Sequence, residues 1–318
     1  MTEVTVRAAT PDDAADVREV TRAAFAGQET LDPPSGALRE TVDDVAGWIA
    51  EHGGLVAVDG AGSLVGALRF MEDAGCFSLR RVAVRPDRQG TGVGAALLAA
   101  GDEVARRRGH AEVHVGVRAP RAEMLTYWLR RGFRQIEDHG FWLELVRAVP
   151  VVLSVATAAA MRDLGRALAG LTRPGDLIVL SGDLGAGKTT LTQGIGDGLG
   201  VRGPVTSPTF VIARVHPSLV GGPPLVHADA YRLNAVAEID DLDLDESVAE
   251  SVTVVEWGTG LAEGLADDRL EVVVRRSPSE DDETRRVSLR GVGERWRAVQ
   301  SLVGEVAAEQ AVTNREGI

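Results

Sequence analysis

The chain has 318 residues and a formal net charge of -13, and 44% of its residues are hydrophobic. This length favours two domains, because single hydrophobic cores stop growing near it, and the acidic balance argues against unaided binding to nucleic acid or anionic membrane. Cys76 is the only cysteine, so we expect no intrachain disulfide and a reducing compartment. No signal peptide or apolar run of membrane-spanning length is visible. We therefore expect a cytoplasmic protein that does not contact a membrane.

The first 148 residues alternate short strands and helices. Thr10 and Pro11 predict a helix start, because Thr is a common helix cap and Pro fits the first helical turn. The predicted order is β-α-α-β-β-β-α-β-α-β-β. The predicted elements are Val4–Ala8, Asp16–Ala26, Leu38–Glu51, Leu55–Val58, Leu64–Met71, Phe77–Val84, a helix ending at Arg108, Glu112–Val117, Arg121–Arg131 and a strand pair within Gly132–Leu145.

A glycine loop follows the predicted strand that ends at Val84. Gln89, Gly92 and Gly94 fit the pattern Q/R-x-x-G-x-G/A between a strand and a helix. The backbone N–H groups of such a loop can point at a pyrophosphate, although a glycine triplet alone also fits a simple turn. The loop, the element order, the run RVAVRP at 81–86 and the pair Gly132-Phe133 together resemble the GNAT family of acyl-CoA-dependent N-acetyltransferases.

This resemblance covers about the first 148 residues and implies a site for acetyl-CoA, with an acetyl acceptor that the sequence does not identify. In that family a tyrosine four positions before the Gly-Phe pair often protonates the departing thiolate. Trp128 stands there in this chain and Tyr127 is its neighbour. Either Tyr127 is the general acid, or water takes that role, or the domain no longer catalyses transfer. The residues implied to hold the pantetheine arm and pyrophosphate are Val82, Val84, Gln89, Gly90, Thr91, Gly92, Val93 and Gly94.

Two acidic residues, Glu72 and Asp73, are candidate bases for the acceptor amine. They lie at the end of a predicted strand, where a solvated turn is an equally good interpretation. His110 and His114 flank another strand, and we expect structural roles for both. The base of the reaction is therefore left open by the sequence.

The pair Val149-Pro150 marks the predicted boundary between a domain of residues 1–148 and one of residues 149–318. The second half again alternates strands with helices, so we predict two α/β domains, a GNAT mixed sheet followed by a P-loop NTPase-like domain. The predicted elements are helix Ala156–Leu171, strand Asp176–Leu180, a helix from Lys188 toward Ile195, strands Val205–Val215 and Leu225–Ala228, a partly helical Ala235–Val248, strand Val252–Glu256, a hairpin of Leu270–Arg275 with Arg286–Arg290, and helix Trp296–Ala307.

The stretch SGDLGAGKTTL at 181–191 fits the phosphate-loop template G-x-x-x-x-G-K-[ST]. A strand ahead and a helix behind are the context in which backbone N–H groups bind phosphate oxygens. Lys188 would neutralise the phosphates, and the Thr189 hydroxyl would hold Mg²⁺. The alternative is a glycine-rich turn that happens to precede a helix. The predicted ATP-binding residues of the loop are Gly182, Asp183, Gly185, Ala186, Gly187, Lys188, Thr189 and Thr190.

Three further segments follow the loop: Thr206–Phe210, His227–Leu233 and Val254–Trp257. Each alone is ordinary, since an aspartate at a strand end is usually a cap and a tryptophan usually belongs to the core. Together with the loop they resemble TsaE, a family of small P-loop ATPases of bacterial threonylcarbamoyladenosine (t6A37) tRNA modification. The resemblance covers roughly Leu153 to Val303.

The TsaE resemblance implies Mg²⁺-dependent ATP hydrolysis with Lys188, Asp229 and Glu256 as catalytic residues. Thr189, Glu256 and Asp229 would be the metal ligands, because a hard cation prefers such oxygens. Trp257 would flank the nucleotide, and Thr157 is a weaker candidate near the adenine. The segment Thr206–Phe210 would sense the γ-phosphate. Alanine at 228 and 230 and glycine at 258 depart from the family pattern at packing positions.

The implied partners are the TsaD and TsaB subunits of the t6A37 complex, with tRNA contacted indirectly. A second interpretation makes the first domain a non-catalytic module that binds acyl-CoA or a protein and docks the ATPase. A third makes the chain a metabolic kinase, but two glycine loops in two complete domains do not build one site.

Overall fold

The computed structural model describes residues 4–26, 35–118, 122–208, 213–231, 249–258, 262, 265–277 and 282–297. The chain forms two compact units whose main division lies between Val149 and Pro150. Each unit contains one seven-stranded sheet with helices packed on it, which confirms the predicted α/β class. Among the described helices, none combines the length and apolar character that crossing a bilayer requires.

The first unit has the predicted order of elements. Its sheet runs β1-β2-β3-β4-β5-β7-β6, and all neighbours are antiparallel except β4 and β5. One face packs against α3 and α4, and the other packs against α1 and α2. The elements are β1 Val4–Ala8, α1 Ala14–Phe25, α2 Val42–His52, β2 Gly54–Asp59, β3 Leu64–Asp73, β4 Cys76–Val84, α3 Val93–Arg107, β5 Glu112–Arg118, α4 Ala122–Leu129, β6 Arg134–Asp138 and β7 Trp142–Ala148.

The start of α2 differs from the prediction, which began the helix at Leu38. Leu38 ends a short 3-10 turn, and α2 begins only at Val42. The reason is a reciprocal cap: Asp44 N donates to Thr41 Oγ1, and Thr41 N donates to Asp44 Oδ2 at 2.8 Å. This pair satisfies two helix-end donors, so the helix begins at the cap rather than at the first apolar residue.

The second unit has a mixed sheet in the order β10-β11-β12-β9-β13-β14-β8. Strands β11, β12, β9 and β13 are parallel neighbours. The elements are β8 Val151–Val155, α5 Ala158–Ala169, β9 Leu177–Gly182, α6 Lys188–Leu199, β10 Ala213–His216, β11 Leu225–Asp229, β12 Val252–Glu256, β13 Arg269–Arg276 and β14 Arg285–Val292.

Two strand predictions in this unit were wrong. The prediction missed strand β8, which pairs with β14 at the edge of the sheet. This strand has five residues and follows a proline, so it is too short to show a clear alternation of apolar residues. In the predicted strand Val205–Val215, residues 205–208 are irregular, since Pro208 cannot donate to a ladder, and residues 213–215 belong to β10. Residues 209–212 lie outside the described residues. The predicted helix Ala235–Val248 and most of Trp296–Ala307 lie outside the described residues.

Glycines bring α5 and α6 into backbone contact. A Cβ at Gly194 would lie 2.2 Å from Arg162 O, and one at Gly165 would lie 2.4 Å from Leu191 O. Any side chain there would push the helices apart. Both helices pack on the sheet in one apolar cluster, and this packing fixes the N-terminus of α6 beside the end of β9.

Candidate functional site

The phosphate-loop stretch joins the end of β9 to the start of α6 at Lys188. Three of its glycines have positive φ: Gly182 (131°), Gly185 (72°) and Gly187 (106°). A Cβ at Gly182 would lie 1.9 Å from Val274 O on the neighbouring strand. Only glycine fits this turn, and the turn ends at the N-terminus of a twelve-residue helix, where backbone N–H groups and the helix dipole favour an anion.

Lys188 lies inside the loop rather than in solvent. Its Nζ donates to Gly182 O and Asp183 O at 2.9 Å each and lies 3.9 Å from the ring centroid of Trp257. Burial lowers the pKa of Lys188, while the negative charges of Glu256, Asp229 and Asp183 oppose that shift. The ammonium is thus held among carbonyls, carboxylates and an aromatic face, from which phosphate oxygens could attract it.

Glu256 is the last residue of β12 and is buried. Its Oε1 accepts from Thr189 Oγ1 at 2.9 Å and lies 2.9 Å from His227 Nε2. Two separate elements therefore fix one carboxylate oxygen, α6 through Thr189 and β11 through His227. Such paired donors stabilise a carboxylate that would otherwise be costly to bury.

Asp229 ends β11 and is the parallel register partner of Glu256. Its Oδ2 accepts from Ser207 Oγ at 3.1 Å, and its Oδ1 accepts from Tyr231 N at 3.0 Å. Because β11 and β12 are adjacent and end together, both carboxylates meet at one edge of the sheet beside the loop. The structure thus brings Lys188, Thr189, Asp229 and Glu256 together.

The residues at this edge fit a hard divalent cation. A hydroxyl oxygen of Thr189 and carboxylate oxygens of Glu256 and Asp229 are the donor types that Mg²⁺ prefers. They converge from the ends of neighbouring strands and from the start of α6, next to the phosphate loop. Thr189, Asp229 and Glu256 would therefore be the residues that hold the ion.

Trp257 follows Glu256 in a left-handed conformation, with φ of 59°, which costs a non-glycine residue about 1–2 kcal/mol. Trp257 N donates to Leu180 O at 2.8 Å, and its ring lies 5.1 Å from that of Tyr231. Strain of this kind is found at functional sites. The strained turn directs the indole ring over Lys188.

The other predicted ATP residues surround the loop, with one exception. Ala186 N donates to Asp183 O within the turn, and Thr190 lies in the first turn of α6. Thr157, by contrast, caps α5: its Oγ1 accepts from Ala160 N at 3.1 Å. This bond gives Thr157 a structural role, and its contact with adenine stays a prediction. In the predicted switch, Thr209 and Phe210 lie outside the described residues.

In the first unit, strands β4 and β5 separate soon after they meet. They pair only at Ser78 with His114 and at Leu79 with Val115, so β4 from Arg80 to Val84 has no ladder to β5. Arg81 has φ of 51° at an irregularity of the β3–β4 pairing, which bends β4 at this point. The backbone near Val82 and Val84 is thereby left available to an extended ligand.

The glycine loop lies between β4 and α3. Gly90 and Gly92 have φ of 75° and 94°, and Gly92 is the N-cap of α3, which begins at Val93. Thr91 Oγ1 donates to Arg88 O at 2.7 Å, and Gln89 Nε2 donates weakly to Val84 O at 3.4 Å. The loop therefore presents a helix N-terminus to the opening between β4 and β5, which suits a pyrophosphate.

Tyr127 and Trp128 have different surroundings. A Cβ at Gly94 would lie 2.8 Å from Tyr127 Oη, so the hydroxyl lies against the first turn of α3, beside the glycine loop. Trp128 is buried in the core and packs edge-on against Phe133. The Tyr127 hydroxyl therefore faces the predicted acyl-CoA site, whereas the Trp128 ring lies in the core.

The candidate bases Glu72 and Asp73 lie at the end of β3. Glu72 Oε1 is 3.0 Å from His110 Nε2, and its other oxygen accepts from Arg108 at 3.4 Å. Asp73 pairs with Cys76 across the β3–β4 turn. These contacts favour the interpretation of Glu72 and Asp73 as part of a solvated turn with a surface ion pair.

Ser207 belongs to the predicted switch Thr206–Phe210, whereas His227 and Tyr231 were not predicted to have a role in the site. The alternation of His227 with Asp229 was a usable signal, since residues two apart on a strand point to the same face. The bond from Ser207 to Asp229 depends on how separate segments fold together, while Tyr231 N donates locally to Asp229, two residues before it.

Comparison with known proteins gives two separate matches. Residues 155–287 match the family "Threonylcarbamoyl adenosine biosynthesis protein TsaE", and residues 23–133 match the "Acetyltransferase (GNAT) family". A TsaE protein of Streptomyces coelicolor is 64% identical over 138 residues, which cover 43% of this chain and 93% of the relative. A Bacillus subtilis TsaE is 37% identical over 154 residues, 48% of this chain and 91% of the relative. A PaiA N-acetyltransferase of Thermoplasma acidophilum, solved with coenzyme A, is 16% identical with a TM-score of 0.41 and covers 46% of this chain and 99% of its own.

Proposed function

The chain belongs to the TsaE family through its C-terminal half and carries a GNAT domain ahead of it, and from this we propose that it supplies ATP hydrolysis to t6A37 formation in tRNA. The observation that carries the proposal is the convergence of four side chains. Lys188, Thr189, Asp229 and Glu256 meet where the phosphate loop and strands β11 and β12 end.

Each residue of this group has a defined part. The loop N–H groups bind phosphate oxygens, and Lys188 exchanges its two carbonyl acceptors for phosphate, which stabilises negative charge during transfer. Thr189, Glu256 and Asp229 would hold Mg²⁺, which when bound would neutralise charge on the phosphates. Asp229 also lies at the strand end, where it can orient the attacking water. Trp257 flanks the nucleotide.

We infer that the ATPase acts on a protein complex rather than on tRNA directly. The chain carries a net charge of -13, and affinity for a phosphate backbone depends on basic residues. The family assigns the chain to t6A formation, and the subunits that fit are TsaD and TsaB. ATP turnover would then reset that complex, and tRNA would be contacted only through it.

A substitution of Lys188 tests the ATPase. Lys188→Ala should lower Mg²⁺-dependent ATP hydrolysis about 100-fold or more, because one preorganised charge at a developing anion is lost. Leu184→Ala is the matched control, since Leu184 lies in the same loop but is 78% exposed. The measurement is phosphate release with and without TsaD and TsaB. Hydrolysis by Lys188→Ala at the wild-type rate would refute the proposal.

For the first domain we propose acetyl-CoA-dependent N-acetyl transfer with Tyr127 as the general acid. The support is the position of its hydroxyl beside the glycine loop and the burial of Trp128. The second candidate is a module that binds acyl-CoA without transfer.

Calorimetry with acetyl-CoA and thiol-release assays on candidate amines separate these two functions. Under transfer, Tyr127→Phe should bind acetyl-CoA normally but release thiol about 100-fold more slowly. Trp128→Phe should lower the thermal midpoint and leave the rate per folded molecule close to wild type. Binding without thiol release from any amine would support the module instead.

A further inference from the structure

A cluster of glutamate and histidine side chains lies on the β5–β7–β6 edge of the first sheet, apart from both sites above. Glu137 is on β6, His139 follows it, Glu144 is on β7 and His114 is on β5. The ligand-type atoms of Glu137, His139 and Glu144 all lie within 4.8 Å of one another. Neither proposed activity uses these residues.

The His139 ring is held in place before any ligand arrives. It stacks on Trp142 with ring centroids 3.9 Å apart and planes 13° apart. His139 N donates to Trp142 O at 3.0 Å, which closes the turn through Gly140, whose φ is 83°. The ring therefore has little freedom to lose on binding.

The position of the His139 Nε2 atom is the decisive feature. Nε2 lies 3.7 Å from both Glu137 Oε2 and Glu144 Oε2. This is too long for a hydrogen bond, and Nε2 is shielded from solvent with no hydrogen-bond partner in the described part of the chain. The nitrogen thus stands equally far from two carboxylate oxygens.

Glu144 is fixed from its other side. Its Oε1 lies 2.9 Å from His114 Nδ1, so Oε2 is the oxygen that faces His139. Carboxylates that ligate metal ions are commonly held by a hydrogen bond of this kind from outside the site. Arg80 lies nearby: burial and Arg81 lower its pKa, and the charge of Glu144 opposes that shift. Arg80 Nη2 donates to Met71 Sδ at 3.7 Å.

The two distances from His139 to the carboxylates come close to the spacing of ligands around a tetrahedral metal ion. Bonds of about 2.0–2.1 Å place neighbouring ligand atoms about 3.4 Å apart, and the two separations here are 3.7 Å. A small inward movement would close the set. We propose that Glu137, His139 and Glu144 bind one divalent transition ion of the Zn²⁺ type, with His114 holding Glu144 in position and solvent in the fourth place.

Calorimetric titration of Zn²⁺ into the metal-stripped full chain tests this site. A large excess of Mg²⁺ should be present, so that oxygen-only sites such as that of the phosphate loop are filled. We expect one Zn²⁺ per chain for the wild type. His139→Ala and Glu144→Gln should each weaken binding at least tenfold. His110→Ala is the matched control and should bind like wild type, because it removes a different histidine–glutamate pair, with His110 Nε2 3.0 Å from Glu72 Oε1.

The variant Glu137→Gln separates a loss of Zn²⁺ binding from a loss of folding. Glu137 is 62% exposed, so the variant should fold normally and still lose affinity for Zn²⁺. The visible absorption of bound Co²⁺ gives a second readout, since a four-coordinate site absorbs more strongly than a hydrated ion. The proposal is overturned if the wild type binds no Zn²⁺ at one per chain, or if Glu137→Gln and His139→Ala bind it like wild type.

Discussion

Residue types that are rare in this chain occur at both candidate sites. Lys188 is the only lysine of the chain, and Tyr127 and Tyr231 are the only tyrosines. Apart from histidines, the other basic residues are all arginine, whose planar fork cannot replace a compact ammonium inside a tight glycine loop. Tyr127 lies beside the first glycine loop, and Tyr231 packs on Trp257, whose ring lies over Lys188. If a tyrosine protonates the thiolate in the first unit, Tyr127 is therefore the one that does so.

His227 is a positioning residue for Glu256. It is fully buried, with its Nε2 2.9 Å from Glu256 Oε1. We predict that His227→Ala lowers the apparent Mg²⁺ affinity of ATP hydrolysis about 10–100-fold, because the carboxylate loses one of its two fixing contacts.

The readout is the Mg²⁺ concentration that gives half-maximal hydrolysis, together with the thermal midpoint. His227→Gln should recover part of the affinity, since its amide can donate to Glu256. A His227→Ala variant that loses stability but keeps the wild-type Mg²⁺ dependence would contradict the positioning role.

At the scale of elements, the second unit builds its site from strand ends. β9, β11 and β12 are parallel and end at Gly182, Asp229 and Glu256. Ligands bind at the carboxyl ends of such strands, because the loops there are free to carry polar groups. The start of α6 completes the site, and the close packing of α5 on α6 holds that start in place.

Glycine substitutions test this packing. Gly194→Ala should destabilise the second unit by about 1–3 kcal/mol, because the new Cβ would meet Arg162 O at 2.2 Å. Gly47→Ala in the interior of α2 meets nothing within 4 Å and should stabilise the first unit by about 0.5–1 kcal/mol. Denaturant unfolding of the full chain measures both changes. Equal changes in the free energy of unfolding at the two positions would show that helix propensity, not close packing, determines the effect of the substitution.

At the scale of the whole molecule, the first unit should lose stability in acid. Arg7 holds the pKa of Asp13 well below its ordinary 3.8, and the Thr41 cap lowers the pKa of Asp44. Both carboxyls therefore bind protons more readily in the unfolded chain. Their contribution is present above about pH 4 and is lost as the pH falls further.

Thermal unfolding at pH 5 and at pH 3 checks this prediction. Asp13→Asn removes the titrating group while it keeps the side-chain shape. The variant should be less stable than wild type at pH 5, and the difference should shrink at pH 3, where wild-type Asp13 has lost part of its advantage. A difference that stays constant between the two pH values would contradict the linkage.

Much of this fold was predictable, because its signals are local. The order of the eleven elements in the first unit follows from hydrophobic periods and glycine turns, and the positions of both glycine loops follow from spacing. The errors have local causes too. Thr41 decides where α2 begins, β8 is too short to show a period, and Pro208 leaves the start of one predicted strand irregular.

The sequence by itself determined the two families and predicted Lys188, Thr189, Asp229 and Glu256 as site residues, since both depend on residue type and spacing along the chain. Tertiary structure alone decided which side chains surround them. His227 reaches Glu256 because β11 and β12 are parallel neighbours in register. Tyr127 rather than Trp128 faces the glycine loop of the first unit because α4 packs Trp128 into the core. Such contacts join segments far apart in the chain, and no local pattern encodes the pairing of strands or the rotation of a helix that brings them together.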